Sequence, residues 1–380
     1  MDFTITKQHE LQQRLYRSFA QEEIKPLAHD MDEAEEYSPE LLKKMQRNGF
    51  FGIPYSAEYG GAGADTLSYV LCMEEVSKVD ASTGITISVH TSLCCSCIND
   101  FGTEEQKQKF LRPLVSGEKI GCFSLTEPGA GSDAGAGVTT ATLEGNEYVI
   151  NGSKVFTTNS GFADIFVMFA VTDREKGAKG MSAFIVEKGM PGLVVSANIP
   201  RLGIRAASNC VVTYDGVRVP LENRLSKEGD GFKIAMKALD AGRIGIGAQA
   251  VGIAQGALDE AVKYVKERKQ FGKTIASFQN TQFTLADMQT KIDAARMLVY
   301  RAAWAKDNKQ PYDGYAAMAK LFASDVANVV TRAAVQLFGG YGYAREYPVE
   351  RMMRDAKITE IYEGTSEVMK MVIAGGMKLK

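Results

Sequence analysis

The feature that most constrains the fold is the hydrophobic periodicity, which changes twice along the 380 residues. Near the start, Leu11, Leu15 and Phe19 recur at the spacing of one helix face. A middle segment instead carries short β-branched and aromatic runs separated by turn residues, and long helical patterns return after it. Because a chain of this length exceeds what one hydrophobic core supports, we predict an α+β protein of three packed units. Their predicted bounds are 1–118, 119–225 and 226–380.

Capping residues predict where helices of the first unit begin and end. Ser38 and Pro39 are typical of the cap and the first residue of a helix. Thr103 and Gln106 have the spacing of a capping box, in which each side chain bonds to the backbone of the other residue. We expect Pro113 to end the helix that begins there, since proline supplies no N–H group.

Turn residues divide the rest of the chain. The run 144–147, Glu-Gly-Asn-Glu, is typical of a hairpin loop, and the dipeptides Asn151-Gly152 and Asp215-Gly216 also predict tight turns. Gly339-Gly340 is typical of a helix C-cap. The third unit is therefore predicted to hold three long helices, at about 231–269, 277–307 and 313–338.

Charge and hydropathy narrow the range of partners. The 44 Lys and Arg nearly balance the 46 Asp and Glu, and no block of five like charges would bind nucleic acid or an acidic membrane. The uncharged stretches 81–99 and 244–258 contain many Ser, Thr and Gly residues, so we predict buried helices and no membrane span. The opening residues lack a basic segment followed by an apolar one, which favours a cytoplasmic protein.

The six cysteines include a cluster at residues 94, 95 and 97, which is unlike a disulfide framework and predicts reduced thiols. His90, Cys94 and Cys97 share one helix face and could face a zinc ion. No second ligand pair follows at a suitable spacing, so we expect buried side chains and no metal site. The Cys-Cys-Ser-Cys run also lacks the strand and helix start that a redox motif needs.

The glycine-rich run 129–134 matches the dinucleotide-binding pattern G-x-G-x-x-G/A by letters alone. Pro128 precedes the run and a β pattern at 138–142 follows it, so no helix can open there as that motif requires. We expect backbone N–H groups and the Ser132 hydroxyl to contact an anion or a ring. The alternative is an ordinary surface turn.

Two long motifs resemble the signatures of the acyl-CoA dehydrogenases. The first is 123–133, and the second extends from 336–342 through 354–358 to 362–366. Between them lie 151–154, 239–243 and 268–273, which are also similar to the family, so the resemblance spans essentially the whole chain. The short-chain members, above all the butyryl-CoA dehydrogenases of bacteria, are the most similar because they share the run 240–245. The resemblance implies an N-terminal helical domain, a middle β domain and a C-terminal four-helix bundle.

The resemblance also implies a reaction with FAD as hydride acceptor and Glu363 as catalytic base. Glu363 would remove the α-proton of an acyl-CoA thioester while a hydride leaves the β-carbon for flavin N5, which gives a trans-2-enoyl-CoA. A thioester α-proton is weakly acidic, so the chemistry needs a positioned base and fixed donors for the carbonyl oxygen. Without the two signatures, an acid in a polar turn is more often a solvated surface group.

Further residue roles follow from the same resemblance. Phe156 stands where many relatives have Trp, which keeps a stacking surface and loses the indole N–H donor. The implied FAD contacts within one subunit are Phe123, Leu125, Thr126, Gly131, Ser132, Phe156, Thr157, Thr158, Thr365 and Glu367. Contacts to the FAD of a neighbouring subunit are implied for Arg268, Gln270, Phe271, Gln279, Gln336, Gly339 and Gly340. Substrate contacts are implied for Ser132, Asp240, Arg243 and Gly364.

Two departures from related sequences narrow the subclass. Relatives of the isovaleryl type place the base just before the arginine that matches Arg243, where this chain has Gly242, so Glu363 has no competitor. Relatives of the glutaryl type hold a second carboxylate with an arginine near the segment 82–93, which contains no Lys or Arg here. A dicarboxylic substrate is therefore not expected.

Three functions remain open at this point. The first is a dehydrogenase that forms a homotetramer, a dimer of dimers, and passes electrons to an electron-transferring flavoprotein. The second is an enoyl-CoA reductase that runs the same site in reverse. The third is a catalytically silent relative that binds or assembles other proteins. The acyl chain, the direction and any part in electron bifurcation do not follow from the sequence.

Overall fold

A computed structural model of the protein describes residues 5–377. Its N-terminal part consists of short helices, three of which continue into π-helical turns at Ala20–Ile24, Val89–Cys95 and Lys107–Leu111. The α-helices are α1 (Lys7–Phe19), α2 (Ala28–Ala34), α3 (Pro39–Arg47), α4 (Thr66–Ser77), α5 (Ala81–Ser88), α6 (Ser96–Phe101), α7 (Glu104–Gln106) and α8 (Arg112–Val115).

The segment from α5 to α6 is one continuous buried helix. It is long and apolar enough to cross a membrane, yet its whole apolar window is buried inside the protein, so the predicted core helix is confirmed. Burial lowers the pKa of His90 to about 3, and the neutral ring accepts a hydrogen bond from the Gly121 N–H at 3.0 Å. Burial raises the pKa of the Cys94 thiol to about 12. All six cysteines are free and buried, as predicted for reduced thiols.

The predicted helix starts are confirmed and one predicted end is wrong. The Ser38 side chain accepts from the Leu41 N–H, and Thr103 and Gln106 form the expected capping box. The helical path does not stop at Pro113 but continues to Val115. The π-helical turn Lys107–Leu111 ends two residues before Pro113, and this wider turn accommodates a ring that would otherwise clash with the carbonyl one turn earlier.

The middle part forms one sheet in the order β6-β7-β3-β2-β4-β5-β8, with β1 parallel to β4. Along β4, Phe166 and Met168 face a small core inside this unit, whereas Val167 and Phe169 face the large helical core. Alternate residues of a strand point to opposite faces, so a strand between two cores is a continuous apolar run. The strands are β1 (Gly121–Ser124), β2 (Thr140–Glu144), β3 (Glu147–Thr158), β4 (Ile165–Val171), β5 (Met181–Glu187), β6 (Leu193–Val195), β7 (Asn209–Pro220) and β8 (Arg224–Leu225).

One predicted turn is confirmed and two are wrong. The run 144–147 closes the β2–β3 hairpin. The dipeptides Asn151-Gly152 and Asp215-Gly216 instead lie inside β3 and β7, where the register shifts at a β-bulge. The Gly216 N–H donates to Asn151 Oδ1 at 2.8 Å across this bulge. Asparagine and glycine adopt the same unusual backbone in bulges and in turns, so local sequence does not distinguish the two.

The C-terminal part is a bundle centred on α11, which packs against α9, α10, α12 and α13. Helix α9 has 37 residues and is about 55 Å long at about 1.5 Å per residue. The predicted α+β architecture, with a C-terminal helical bundle, is confirmed. The elements are α9 (Gly231–Glu267), β9 (Lys269–Gln270), β10 (Lys273–Thr274), α10 (Gln279–Asp307), α11 (Asp313–Phe338), α12 (Val349–Ile358) and α13 (Ser366–Gly376). Short 3₁₀ segments lie at Ala57–Tyr59, Ala134–Ala136, Arg174–Gly180, Leu221–Asn223, Ile275–Ser277 and Gly339–Tyr343.

Glycines in α9 allow the close helix packing predicted for residues 244–258. A Cβ at Gly252 would lie 2.5 Å from the Glu74 carbonyl oxygen of α4. A Cβ at Gly256 would overlap the Lys78 carbonyl oxygen just beyond α4. The backbones therefore approach to a distance that excludes any side chain at these positions.

We predict that Gly256→Ala lowers the free energy of unfolding by about 1–3 kcal/mol, because the two helices must separate to admit the methyl group. Urea unfolding of the purified protein measures this. Gly314→Ala is the matched control, since Gly314 lies in α11 and a Cβ there has no neighbour within 4 Å. It should leave stability unchanged or raise it by up to about 1 kcal/mol. Equal stability of both variants would contradict the packing argument.

Candidate active site

A cavity of about 560 Å³ lies where the sheet, the α5–α6 helix, the start of α9 and the turn between α12 and α13 meet. Most of its wall is apolar, with a few hydroxyl and charged groups. The sequence-predicted residues that line it are Phe123, Leu125, Thr126, Gly131, Ser132, Phe156, Thr158, Arg243, Glu363, Gly364 and Thr365. Segments far apart in the chain thus meet around one space.

The turn between α12 and α13 has an unusual backbone at the predicted base. Glu363 has φ = 54° and Gly364 has φ = 104°, both in the left-handed region. Thr365 then caps α13 by accepting from the Val368 N–H at 3.3 Å. A non-glycine residue in this region is strained, and such strain persists only where surrounding contacts hold it.

The Glu363 carboxylate lies at the cavity wall with its oxygens withdrawn from bulk solvent. Both oxygens are inaccessible to solvent and lack a hydrogen-bond partner among residues 5–377. A Cβ at Gly242 would overlap Glu363 Oε2 and would lie 2.9 Å from Leu93 Cδ2. Burial raises the pKa of Glu363 to about 8, against the opposing effect of the Lys320 and Arg243 charges. A buried polar group without partners is costly, which is typical of a group kept for reaction.

Two cations hold the main chain next to this carboxylate. Arg243 donates from Nε to the Glu363 carbonyl oxygen at 3.4 Å and from Nη1 to Asp240 Oδ1 at 2.6 Å. Lys320 donates from Nζ to the Gly364 carbonyl oxygen at 2.5 Å. Asp240, predicted as a substrate contact, does not line the cavity, and its carboxylate orients Arg243 instead.

The glycine-rich loop 125–138 is held by a buried ion pair. Lys154 Nζ lies 2.7 Å from Glu127 Oε1 and donates to the Leu125 carbonyl oxygen at 3.0 Å. Glu127 also accepts from the Val138 N–H at 2.7 Å, which ties the two ends of the loop together. Burial alone would raise the pKa of Glu127, but the hydrogen bond from Lys154 lowers it below its usual range. The loop leads into a 3₁₀ turn and then β2, so it opens no dinucleotide-binding helix.

Phe156 presents an aromatic face to the cavity. Its φ of 56° and a register shift between Lys154 and Thr157 turn the ring out of β3, and 59% of the residue is exposed. Asn209 holds this bulge by donating to Thr158 Oγ1 at 3.0 Å and to the Phe156 carbonyl oxygen at 3.4 Å. Thr157 does not line the cavity, since it is buried with its Oγ1 3.4 Å from Ser124 Oγ.

The other predicted cofactor residues lie outside this cavity. Glu367 is exposed on the first turn of α13. Phe271 is 94% exposed on the α9–α10 connection, and the Arg268 guanidinium lies 5.4 Å from the centre of the Tyr341 ring. The residues predicted to contact a neighbouring subunit are all exposed, and we name them together the outer patch: Arg268, Gln270, Phe271, Gln279, Gln336, Gly339 and Gly340.

The cavity residues fit the ring system of a flavin. A flat apolar ring needs a stacking surface and a few polar groups at its edge, and Phe156 with the Thr126, Ser132 and Thr158 hydroxyls provides them. Sequence reasoning missed Asn209, Lys320 and Leu93, whose positions depend on contacts between distant segments. Sequence reasoning also missed Arg201, which lines the cavity and donates to main-chain carbonyls of its own loop, including those of Ile204 and Ala207.

Three family models match the chain in order. They are the acyl-CoA dehydrogenase N-terminal domain at residues 6–118, the middle domain at 122–217 and the C-terminal domain at 229–378. Fold and site thus define a three-domain enzyme with a buried carboxylate at an apolar cavity. The chain belongs to the acyl-CoA dehydrogenase family, which confirms the resemblance seen in the sequence.

Similar proteins support the same family. A short-chain specific acyl-CoA dehydrogenase of Clostridium acetobutylicum is 58% identical over 99% of both chains. An acryloyl-CoA reductase (NADH) of Anaerotignum propionicum is 49% identical over 98% of this chain and 95% of its own. The structure of butyryl-CoA dehydrogenase from Megasphaera elsdenii has a TM-score of 0.98 at 49% identity, covering 99% of this chain and 100% of that chain. A chain from a structure described as an electron transferring flavoprotein of Acidaminococcus fermentans has a TM-score of 0.99 at 52% identity, with full coverage of both.

We predict that Lys154→Met lowers the free energy of unfolding by about 3–5 kcal/mol, because it leaves the Glu127 carboxylate buried without its cation. Urea unfolding and flavin absorbance of the purified protein measure the effect on stability and cofactor retention. The double variant Lys154→Met/Glu127→Gln should be less destabilised than the sum of the single variants. Additive effects would mean that the two groups do not act as a pair.

Proposed function

We propose that the protein oxidises a short saturated acyl-CoA to the trans-2-enoyl-CoA, with Glu363 as the base and FAD as the cofactor. The observation that carries this proposal is the Glu363 carboxylate at the cavity wall, which is buried and has no hydrogen-bond partner within residues 5–377. A base of this kind gains strength from burial, because the neutral product carboxyl needs no solvation. A catalytically silent protein would gain nothing from the free-energy cost of burying the Glu363 carboxylate.

The chain's own residues would perform separate parts of the reaction. Glu363 would take the α-proton, and its raised pKa of about 8 brings it close to the acidity that proton transfer near neutral pH requires. Phe156, Thr126, Ser132 and Thr158 would hold the flavin ring. The chemistry that a bound FAD supplies is acceptance of a hydride from the β-carbon. The apolar wall would exclude water from the reacting carbons.

The acyl chain would lie against aliphatic side chains. Ile85, Val89 and Leu93 of the α5–α6 helix line the cavity together with Leu239 and Ile361. The segment 82–93, which supplies the α5–α6 residues of this wall, contains no Lys or Arg to neutralise a second carboxylate, and this favours a simple acyl group. The 58% identity to a short-chain specific relative supports a short chain.

The direction of the reaction has two candidates. Oxidation would send electrons to an electron-transferring flavoprotein, and the near-identical fold of a chain from such a system supports that partner. Reduction of an enoyl-CoA is the second candidate, supported by the relative that is an acryloyl-CoA reductase. Anaerobic titration of the oxidised flavin with acyl-CoAs, and of the reduced flavin with enoyl-CoAs, of three to eight carbons compares the two directions and measures chain-length preference. One methylene in an apolar pocket is worth about 1–3 kcal/mol, so such a series resolves the preferred chain length.

Assembly and location complete the proposal. The outer patch includes an almost fully exposed Phe271, and nearby Tyr343 is 90% exposed. Apolar side chains exposed to this degree are typical of a protein interface. We infer a homotetramer in which the outer patch of one subunit contacts the FAD of its neighbour. Six buried free cysteines favour the reducing cytoplasm.

We predict that Glu363→Gln abolishes turnover of butyryl-CoA while FAD stays bound, because the amide keeps the shape of the side chain and cannot accept the α-proton. Stopped-flow measurement of flavin bleaching, together with the visible flavin spectrum, records both properties. Glu360→Gln is the matched control on the same turn, where the carboxylate bonds to Lys357 instead of facing the cavity. Near-normal bleaching in Glu363→Gln would refute the assignment of the base.

We predict that Phe271→Glu dissociates the oligomer and reduces the flavin content, because a charge would replace an apolar contact between subunits. Sedimentation velocity and flavin absorbance measure both effects. Leu143→Glu is the control, since Leu143 is 50% exposed on β2 and lies outside the outer patch. An unchanged oligomer with full flavin content in Phe271→Glu would exclude this role for the outer patch.

A further inference from the structure

Three polar side chains on one face of α11 bind the segment that ends in the Glu363 turn. Lys320, Ser324 and Asn328 are spaced four residues apart and therefore lie on the same face of the helix. We name them the donor stripe. Their bonds to main-chain carbonyl oxygens are Lys320 Nζ to Gly364 at 2.5 Å, Ser324 Oγ to Thr359 at 2.8 Å and Asn328 Nδ2 to Ala356 at 3.1 Å. The stripe thus holds both the end of α12 and the turn that follows it.

Lys320 differs from the other two members because it is charged. The residue is completely buried, and no carboxylate oxygen within residues 5–377 lies within 4.0 Å of its Nζ. A neutral donor would bind the Gly364 carbonyl without the cost of burying an ammonium group. Ser324 and Asn328 show that neutral donors serve the same purpose one and two turns further along α11. The charge of Lys320 therefore needs a separate explanation.

The charged groups around Lys320 point to Glu363. Burial lowers the pKa of Lys320 to about 8 against the opposing effect of the Glu363 charge, so both groups titrate over the same pH range and the Lys320 charge acts on the acid side of it. Arg243, Glu360 and Glu367 add smaller effects. Glu363 in turn faces the cations Lys320 and Arg243. The Glu363 charge also acts on the Tyr69 and Tyr362 hydroxyls. Neither hydroxyl donates to the carboxylate, because Tyr69 donates to Ser88 and Tyr362 donates to Gln249. The Glu363 carboxylate accepts no hydrogen bond within residues 5–377, so its ionised form is stabilised by the positive charges of Lys320 and Arg243.

We propose that Lys320 is a positioning residue for the base: its hydrogen bond to Gly364 fixes the left-handed turn, and its charge stabilises the buried carboxylate of Glu363 in the ionised form. This inference rests on the proposed function, because it gives Lys320 a role only if Glu363 accepts a proton. Arg243 is held by Asp240, which partly neutralises it. Lys320 has no such counter-ion within residues 5–377 and is the more effective cation.

The test is the pH dependence of kcat/KM for the flavin-loaded enzyme with butyryl-CoA, which reports the ionisation of the free enzyme. In the unaltered protein the rate should rise with pH through about 8, the pKa to which burial raises Glu363. Lys320→Met removes a positive charge that favours the carboxylate, so the pKa of Glu363 rises and the midpoint moves upward. We expect a shift of about 0.5–1 pH unit and a fall of about 3- to 10-fold in kcat/KM at pH 7.

Two further variants separate charge from simple support of the turn. Lys320→Arg keeps the charge and should return the midpoint towards that of the unaltered protein. Ser324→Ala removes a neutral bond of the same stripe, so it should lower the melting temperature without moving the midpoint. If Lys320→Met does not yield folded flavoprotein, Lys320→Gln gives the same comparison with a neutral donor kept in place.

The outcomes are distinct for the two proposals. An unshifted midpoint in the neutral Lys320 variant, with losses like those of Ser324→Ala, would overturn the role of the Lys320 charge. Turnover of butyryl-CoA that persists in Glu363→Gln would instead overturn the proposed base. An upward shift in the neutral variant, reversed in Lys320→Arg and absent in Ser324→Ala, would support the inference.

Discussion

The central constraint on the site is the Glu363 carboxylate, whose oxygens are out of contact with water and have no hydrogen-bond partner within residues 5–377. Three features of the turn cost free energy: the left-handed backbone of Glu363, the burial of its carboxylate, and two carboxylate oxygens with no hydrogen-bond partner within residues 5–377. Contacts elsewhere must offset these costs. They come from α9, whose Gly242 leaves room for the carboxylate, and from α11, whose side chains bind the neighbouring carbonyls. The long helices of the bundle are therefore a rigid support for one strained turn.

Two combinations of a lysine and a glutamate near the cavity, Lys154 with Glu127 and Lys320 with Glu363, illustrate how geometry determines the role of a charge. Lys154 and Glu127 are in direct contact, and both make further bonds to the main chain, so their charges are satisfied and serve only to hold a loop. Lys320 and Glu363 influence each other without touching. The first carboxyl stays ionised well below neutral pH, whereas the second changes its protonation state near neutral pH. Glu363 can therefore exchange a proton near neutral pH because no lysine within residues 5–377 contacts its carboxylate directly, in the way that Lys154 contacts Glu127.

Much of the fold was predictable because its signals are local or periodic. The apolar run of β4, the caps at Ser38 and Thr103, and the long helices of the bundle all appear in the sequence itself. The bulge at Asn151-Gly152 and Asp215-Gly216 was not predictable, since only the pairing of β3 with β7 distinguishes it from two turns. Strands β1, β6 and β8 are too short to establish a period of two.

For the site, the family motifs pointed to Glu363 and to the residues that line the cavity, but not to those that hold them in place. Lys320 lies 44 residues from Gly364, and a lysine in a helix ordinarily marks a solvated face. Asn209 supports Phe156 from a strand that is distant in sequence. Such positioning roles depend on tertiary contacts, so no local pattern reveals them.

Gly242 shows that the space available at the cavity wall, as well as the sequence motif, determines where the base can lie. A Cβ at position 242 would overlap Glu363 Oε2, so positions 242 and 363 compete for the same space at the cavity wall. A side chain at position 242 would require the flexible Glu363 carboxylate to move, whereas glycine leaves free the space that the carboxylate occupies. The lack of a side chain on α9 at this position therefore helps the base to project from the turn into the cavity wall. In this chain the residue at position 242 and the side chain at position 363 must therefore be considered together, because they share the same space.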